Sequence, residues 1–355
     1  MVTEEEIREA LQKVMDPELG RNIVELGMVR DIHLDDEQVD VTLALTTMDC
    51  PLRQKIVNDI ESAIRGVDGA LITNVELVEM TAEERAKVTG QPEQKKGMAE
   101  AFNEVNHVIA VMSGKGGVGK SSVAALLAVS LRRKGERVGV LDADITGPSI
   151  PRMFGARAAG MSPLGLMPAV TATGIKVMSI NLLLREEDEA IIWRGPLISG
   201  AIKQFWGDVL WEKLDTLVID LPPGTSDATL TVMQSIPLSG ALLVTSPQSL
   251  AGMIVRKAAR MAQDLKIPMI GLIENMSYVE CPDCGRRIEA FGPSQAEQTA
   301  RTLGIPMLGR IPLDPELASR CDNGQVEMYT SDVFEPIAVR VSELVPEVKR
   351  QPWFA

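Results

Sequence analysis

At 355 residues the chain exceeds what a single hydrophobic core ordinarily serves, so two domains are expected. Its residues are 45% hydrophobic but only 3% aromatic, so the core must be built from aliphatic side chains and the 18 methionines. A net charge of −13 argues against nucleic acid as a partner, and no apolar run is long enough to span a bilayer, which argues against a membrane.

The opening "MVTEEEIREA" is acidic and unlike a signal peptide, and four cysteines in so long a chain make no disulfide framework. A reducing, cytoplasmic setting is therefore expected. In "TEEEIREALQKVM" the apolar residues Ile7, Leu11, Val14 and Met15 form a helical stripe, with Thr3 placed to cap it. "DPELG" (16–20) ends that helix. Two strand-like runs, 26–34 and 38–46, flank the turn-prone "DDE" (35–37). A helix over 52–64 and a strand near 70–78 complete a small α+β domain, residues 1–80. The polar stretch 81–103, with Gly90, Gln91 and Pro92 at its centre, reads as a linker.

From 104 to 355 short apolar strands alternate with helical patterns. Strands are predicted at 107–112, 137–141, 175–180, 216–220, 241–245, 269–274 and 307–311, with helices such as 121–134 and 250–265 between them. That order makes an α/β domain, a mostly parallel, doubly wound sheet that binds ligands at the carboxyl ends of its strands. Arg256, Lys257, Arg260 and Lys266 have the spacing of a solvated helix face rather than of a binding patch. The two histidines, His33 and His107, fall in strand patterns and read as packing or surface residues.

"GKGGVGKS" (114–121) satisfies the phosphate-loop pattern and lies between a predicted strand and a predicted helix, the context such a P-loop requires. Gly114, Gly116, Gly117 and Gly119 let the backbone fold tightly, so that its N–H groups face phosphate oxygens. Val118 and Ser122 complete the nucleotide-contacting stretch. The following helix N-terminus adds a favourable field for an anion. Lys120 would neutralise the β- and γ-phosphates of ATP, and the Ser121 hydroxyl would ligate Mg²⁺. Two further strand ends carry acids: Asp142 and Asp144 in "LDADITGPS", and Asp220 in "VIDLPPGTSD". One aspartate at a strand end is commonly a turn or cap residue. Beside a phosphate loop, Asp220 reads as the holder of Mg²⁺ through water, and Asp144 as the residue that orients the attacking water.

"SGKGGVGKS", "LDADITGPS" and "VIDLPPGTSD" resemble the deviant phosphate-loop ATPases that include MinD, ParA and the nitrogenase iron protein. In that family the extra loop lysine, matched by Lys115, reaches the partner's nucleotide across a dimer. Lys115 precedes the residues that wrap the phosphates, so it can project outward as an arginine finger does. "WRGPLISGAIKQF" (193–205), "ENMSYVECPDCG" (274–285), "FGPS" (291–294) and "GRIPLDPEL" (309–317) narrow the resemblance to the Mrp/ApbC branch of iron–sulfur carriers. It implies a homodimer that hydrolyses ATP slowly and passes a labile [4Fe–4S] cluster to apo-proteins, with a cluster-assembly scaffold as a further partner. It also implies adenine contacts from Asn275 and from the loop 311–315.

Cys281 and Cys284 stand three positions apart, and two thiolates alone complete neither a tetrahedral metal site nor a cluster. A two-fold axis would supply the second pair. By ligand count a bridging Zn²⁺, in a regulatory or scaffold ATPase, and a cluster are equal readings; the resemblance selects the cluster. A positioning ATPase of the MinD/ParA kind is the other alternative. The acidic charge and an apolar stripe at the end of the chain broken by Pro346 argue against it. In the first domain Asp16, Pro17, Glu18, Thr46 and Cys50 resemble the pattern of iron–sulfur assembly domains. Cys50 precedes Pro51 and a helix start, a position that lowers a thiol pKa. It is therefore a candidate for relaying a cluster, and on its chemistry alone equally a half-buried structural cysteine. Cys321 departs from the family pattern and is given no ligand role.

Overall fold

The structure, a computed structural model, describes residues 2–16, 21–35, 38–45, 53–67, 72–81, 84, 99–184 and 195–346. The chain forms two compact units, Met1–Lys95 and Lys96–Ala355.

In the first unit helix α1 (Glu4–Leu11) starts at a capping box, with Thr3 and Glu6 each satisfying the other's backbone N–H. Strands β1 (Val29–Leu34) and β2 (Gln38–Leu45) pair antiparallel, and β3 (Ile72–Glu79) adds parallel to β2. Helix α2 (Arg53–Arg65) is the crossover between β2 and β3. It buries Ile56, Ile60 and Ile64, spaced four apart on one face. These pack with Ile7 and Leu11 of α1 and with Val39, Val41 and Leu43 of β2 into one core.

The second unit is built on an eight-stranded sheet. Its strands are β4 (Glu104–Ser113), β5 (Val138–Asp142), β8 (Ala169–Val170), β9 (Lys176–Met178), β10 (Lys213–Asp220), β11 (Gly240–Thr245), β12 (Met269–Glu274) and β15 (Met307–Arg310). Their order is β15-β12-β11-β4-β10-β5-β9-β8, parallel throughout except for the antiparallel edge strand β8. Two small hairpins lie outside it: β6 (Gly160–Ser162) with β7 (Gly165–Met167), and β13 (Val279–Glu280) with β14 (Arg287–Ile288).

The alternation of side chains along β4 explains why this sheet is covered on both faces. Ile109 and Val111 enter one core with helix α3 (Lys120–Arg133) and with Leu317 and Ile337, from the helices α9 (Pro315–Asp322) and α10 (Phe334–Leu344). Val108, Ala110 and Met112 enter the opposite core. There they meet residues of α5 (Gly195–Gly207), α6 (Asp227–Ser235), α7 (Ser249–Asp264) and α8 (Ala296–Leu303). A short helix, α4 (Ile150–Phe154), follows β5. On α7, Val255, Ala258, Ala259 and Ala262 are buried while Lys257 and Arg260 are exposed, which makes the basic run the outer face of a packed helix. Taken separately, the two units are the mostly parallel, doubly wound P-loop sheet and the small α+β unit that the sequence predicts. Among the described residues no helix is long and apolar enough to cross a membrane.

Candidate functional site

Strand β4 runs straight into the loop 114–119, and α3 starts at Lys120. The apolar strand and the helix are both buried, so the glycine-rich turn between them is held rigidly at both ends. Gly117 and Gly119 have φ of 77° and 72°, a left-handed conformation that glycine adopts without strain. Gly114 is needed for another reason: a Cβ there would lie 2.5 Å from the backbone nitrogen of Val255, so α7 packs directly against the loop. The loop residues Lys115 to Ser122, with Asp144, Ser149, Met153 and Pro223, line a cavity of about 220 Å³. Gly114, Asp142, Asp220 and Asn275 are not in its wall.

Lys120 and Asp220 form a buried ion pair, 2.5 Å from Nζ to Oδ1, with side chains 7% and 0% exposed. The Ser121 hydroxyl donates to the other oxygen of the same carboxylate at 2.5 Å. Asp220 thus gathers the lysine and the hydroxyl of the loop onto one group, and hydroxyl with carboxylate is a donor set that suits Mg²⁺. Asp142 is the register partner of Asp220 on the neighbouring strand. Burial pushes the pKa of both carboxyls up, and Asp142 is raised further by the charge of Asp220.

The bonds of Asp142 go to backbone rather than into the cavity. It accepts from the N–H groups of Ser149 at 2.9 Å, Ile150 at 3.0 Å and Asp144 at 3.1 Å. It therefore folds the 143–149 loop and presents Asp144, which is half-buried and lines the cavity. Asp144 accepts from the Thr146 hydroxyl at 2.9 Å and from the Gly147 N–H at 3.2 Å.

The Asn275 side chain donates to the carbonyl of Val118 at 2.9 Å and to that of Gly119 at 3.4 Å. A Cβ on Gly119 would meet Asn275 Nδ2 at 2.3 Å, so the two close on each other. The structure thus gives Asn275 a hold on the phosphate loop, in addition to the adenine contact read from the resemblance. The Lys115 ammonium donates to Gln248 Oε1, at the start of α7 in the same chain. Gln248 was not legible as a partner, although it follows the carboxyl end of β11, where ligand-facing residues collect.

Cys281 and Cys284 lie on the turn that closes the β13–β14 hairpin. The Cys281 N–H donates to Arg286 O at 3.0 Å, and the Gly285 N–H donates back to Cys281 O at 2.9 Å. Gly285, at φ 69°, lets this knuckle close. The backbone N–H groups of Cys284 and Asp283 point at the Cys281 sulfur and hold its thiol below the usual range, which favours the metal-binding thiolate. Cys284 is exposed and Cys281 half-buried. Among the described residues no third His, Cys, Asp or Glu joins them in a metal-holding group. Cys321 is buried on α9, beside Ser122, and burial pushes its thiol up. Cys50, Pro17, Glu18 and Thr46 lie outside the described residues, as do most of the linker 81–103 and 193–194.

Residues 104–349 match the family of NUBPL iron-transfer P-loop NTPases, and residues 4–77 match the iron–sulfur cluster assembly protein family. The chain is 41% identical over 332 residues to the iron–sulfur cluster carrier protein of Synechocystis, covering 91% of each. Among solved structures it is similar to a nucleotide-binding protein from Archaeoglobus fulgidus in complex with ADP. That likeness has 47% identity and a TM-score of 0.60, over 67% of this chain and 95% of the other. It also has the fold of the MinD protein of Pyrococcus horikoshii, with a TM-score of 0.50 and 21% identity over 68% of this chain and 97% of that one. With the phosphate loop, its buried aspartate and the cysteine knuckle all inside the matched span, the chain belongs to the NUBPL-type iron-transfer P-loop NTPases.

Proposed function

We propose that the chain binds and hydrolyses ATP and carries a [4Fe–4S] cluster, held on a two-fold axis between two copies of Cys281 and Cys284, for delivery to apo-proteins. The observation that carries this reading is the incomplete thiol pair: a preformed knuckle with a stabilised thiolate and no third ligand among the described residues. A second copy supplies the two missing sulfurs. The relative from Archaeoglobus, in complex with ADP, and the carrier protein from Synechocystis support the two halves of the reading.

In this scheme the loop N–H groups and Lys120 grip the phosphates, and Lys120 exchanges Asp220 for a phosphate oxygen. Ser121 and Asp220 would hold Mg²⁺, which would supply positive charge to offset the charge that develops on the phosphoryl oxygens. Asp144 orients the attacking water, and Lys115 of the partner copy completes the site. Thiolate ligation places the cycle in a reducing, cytoplasmic setting, with apo-acceptors and an assembly scaffold as its partners. Cys50 would relay the cluster; a Cys50→Ala chain that transfers at the parent rate removes that part of the scheme.

The test is anaerobic reconstitution with iron and sulfide, followed by absorbance and metal analysis. The parent chain should gain broad iron–sulfur absorbance with about four irons per dimer, the content of one [4Fe–4S] cluster; about two would mean that the four thiolates hold a [2Fe–2S] cluster instead. Cys281→Ala and Cys284→Ala should each abolish it without changing ATP affinity. Stoichiometric zinc with no iron–sulfur absorbance would reject the cluster.

A further inference from the structure

The segment joining the nucleotide and cysteine sites, Glu274 to Cys281, is tied at nearly every residue to something outside itself. At its start Asn275 holds the carbonyls of Val118 and Gly119, and its own N–H donates to Thr245 O at 2.8 Å. Two residues on, the Ser277 N–H donates to Ile311 O at 2.8 Å, and Leu313 N–H donates to Tyr278 O at 2.8 Å. Arg310 braces the same stretch with its side chain. Its Nε donates to Ser277 Oγ at 2.6 Å and lies 3.4 Å from the buried Glu274 carboxylate, and its Nη2 donates to Glu289 at 2.8 Å.

Tyr278, only 3% exposed, carries the brace into the hairpin. The Arg287 guanidinium stacks 4.4 Å from the centre of its ring, and that of Arg310 lies at 5.7 Å. Arg287 is the register partner of Glu280, the residue before Cys281. Between the clamps at Asn275 and Ser277 stands Met276, at φ 54°. A non-glycine residue is strained there and stays because the bonds on either side hold it, so the strain is available to be released when one of them moves.

We infer that Arg310 and Tyr278 are positioning residues that tie the conformation of the phosphate loop to that of the cysteine knuckle, with Met276 as the bistable step between them. The role presupposes the nucleotide site proposed above. Gly119 leaves no room between itself and Asn275, so a phosphate that draws in the loop backbone displaces Asn275 with it. Ser277 cannot follow freely, because its hydroxyl donates to the Glu274 carboxylate and accepts from Arg310, which also holds Glu289. The strain falls on Met276, and its relief turns Tyr278 and the hairpin stacked on it. Coupling through two arrangements of one packed element is the form that a real energetic link takes.

The test needs no cluster, which separates its failure from failure of the carrier reading. In the metal-free full-length chain, the alkylation rates of Cys281 and Cys284 are followed peptide by peptide, with and without ATP. In the parent chain ATP should change these rates about fivefold or more, the lower end of ordinary couplings. Arg310→Lys keeps a cation beside Glu274 but cannot span Ser277 and Glu289 together, and Tyr278→Leu removes the stacking platform. In both variants the ATP effect, taken at saturating ATP as the ratio to each variant's own nucleotide-free rate, should fall below about twofold. Two results overturn the inference: a parent chain whose knuckle ignores ATP, or variants that keep the parent response. The second result would assign any protection to dimer formation alone.

Discussion

Replacing Lys120 by alanine is expected to weaken ATP binding about a hundredfold or more, the loss of one or two charge-assisted bonds to phosphate. It should also destabilise the nucleotide-free protein, which a purely ligand-binding lysine would not do. Lys120 is the cation of a buried pair, and alanine leaves Asp220 fully buried beside Asp142, its neighbour in register. Breaking a buried pair by removing one partner costs about 3–5 kcal/mol. Burial already lifts both carboxyls above their unfolded values, and Lys120 is among the groups that hold them down. Without it the folded chain keeps protons that the unfolded chain releases, and stability then falls as pH rises between the two pKa values. The deficit of Lys120→Ala against the parent, read from urea unfolding, should therefore be smaller near pH 5 and larger near pH 8. A deficit equal at both pH values would show that Asp220 has another counter-charge.

The large sheet was legible because fully buried parallel strands appear as continuous apolar runs, and each of the seven strands predicted in the second unit has a counterpart in the structure. The run predicted at 175–180 is shorter than expected: it pairs only over Lys176–Met178, and Ile180 already begins a 3₁₀ turn. The edge strand Ala169–Val170 and the two small hairpins were missed, since two or three residues carry no period to read. The phosphate loop announces itself because its glycines and lysine are adjacent in the chain. Its supports do not. Asp142 serves the backbone of Ser149 and Ile150, Asn275 reaches back 157 residues to Val118, and Arg310 brings Ser277 and Glu289 together across the cysteine hairpin. Such side-chain bonds are set by tertiary packing, and a single sequence carries no signal for them.

Lys115→Ala should leave ATP binding at the parent level and lower hydrolysis about a thousandfold, the magnitude of a charge supplied in trans to a phosphoryl transition state. In the structure the Lys115 ammonium is tied to Gln248 at the start of α7, in its own subunit. Close packing of Gly114 against the α7 backbone fixes the loop from which it projects. Lys120 already occupies the buried position beside the loop hydroxyl, and within its own chain Lys115 is bonded to the neutral Gln248. Mixing separates a trans role from a cis one. Asp144→Ala should also bind ATP and fail to hydrolyse it, as expected of the water-orienting role proposed for Asp144. In a mixed dimer, the site with its own Asp144 receives Lys115 from the Asp144→Ala partner and is complete; the other site lacks both. Random pairing of equal amounts makes half the dimers mixed, with one working site in each, so two inactive proteins should together regain about a quarter of parent turnover. If Lys115 acts on its own nucleotide, every site in every dimer lacks one group and the mixture stays inactive.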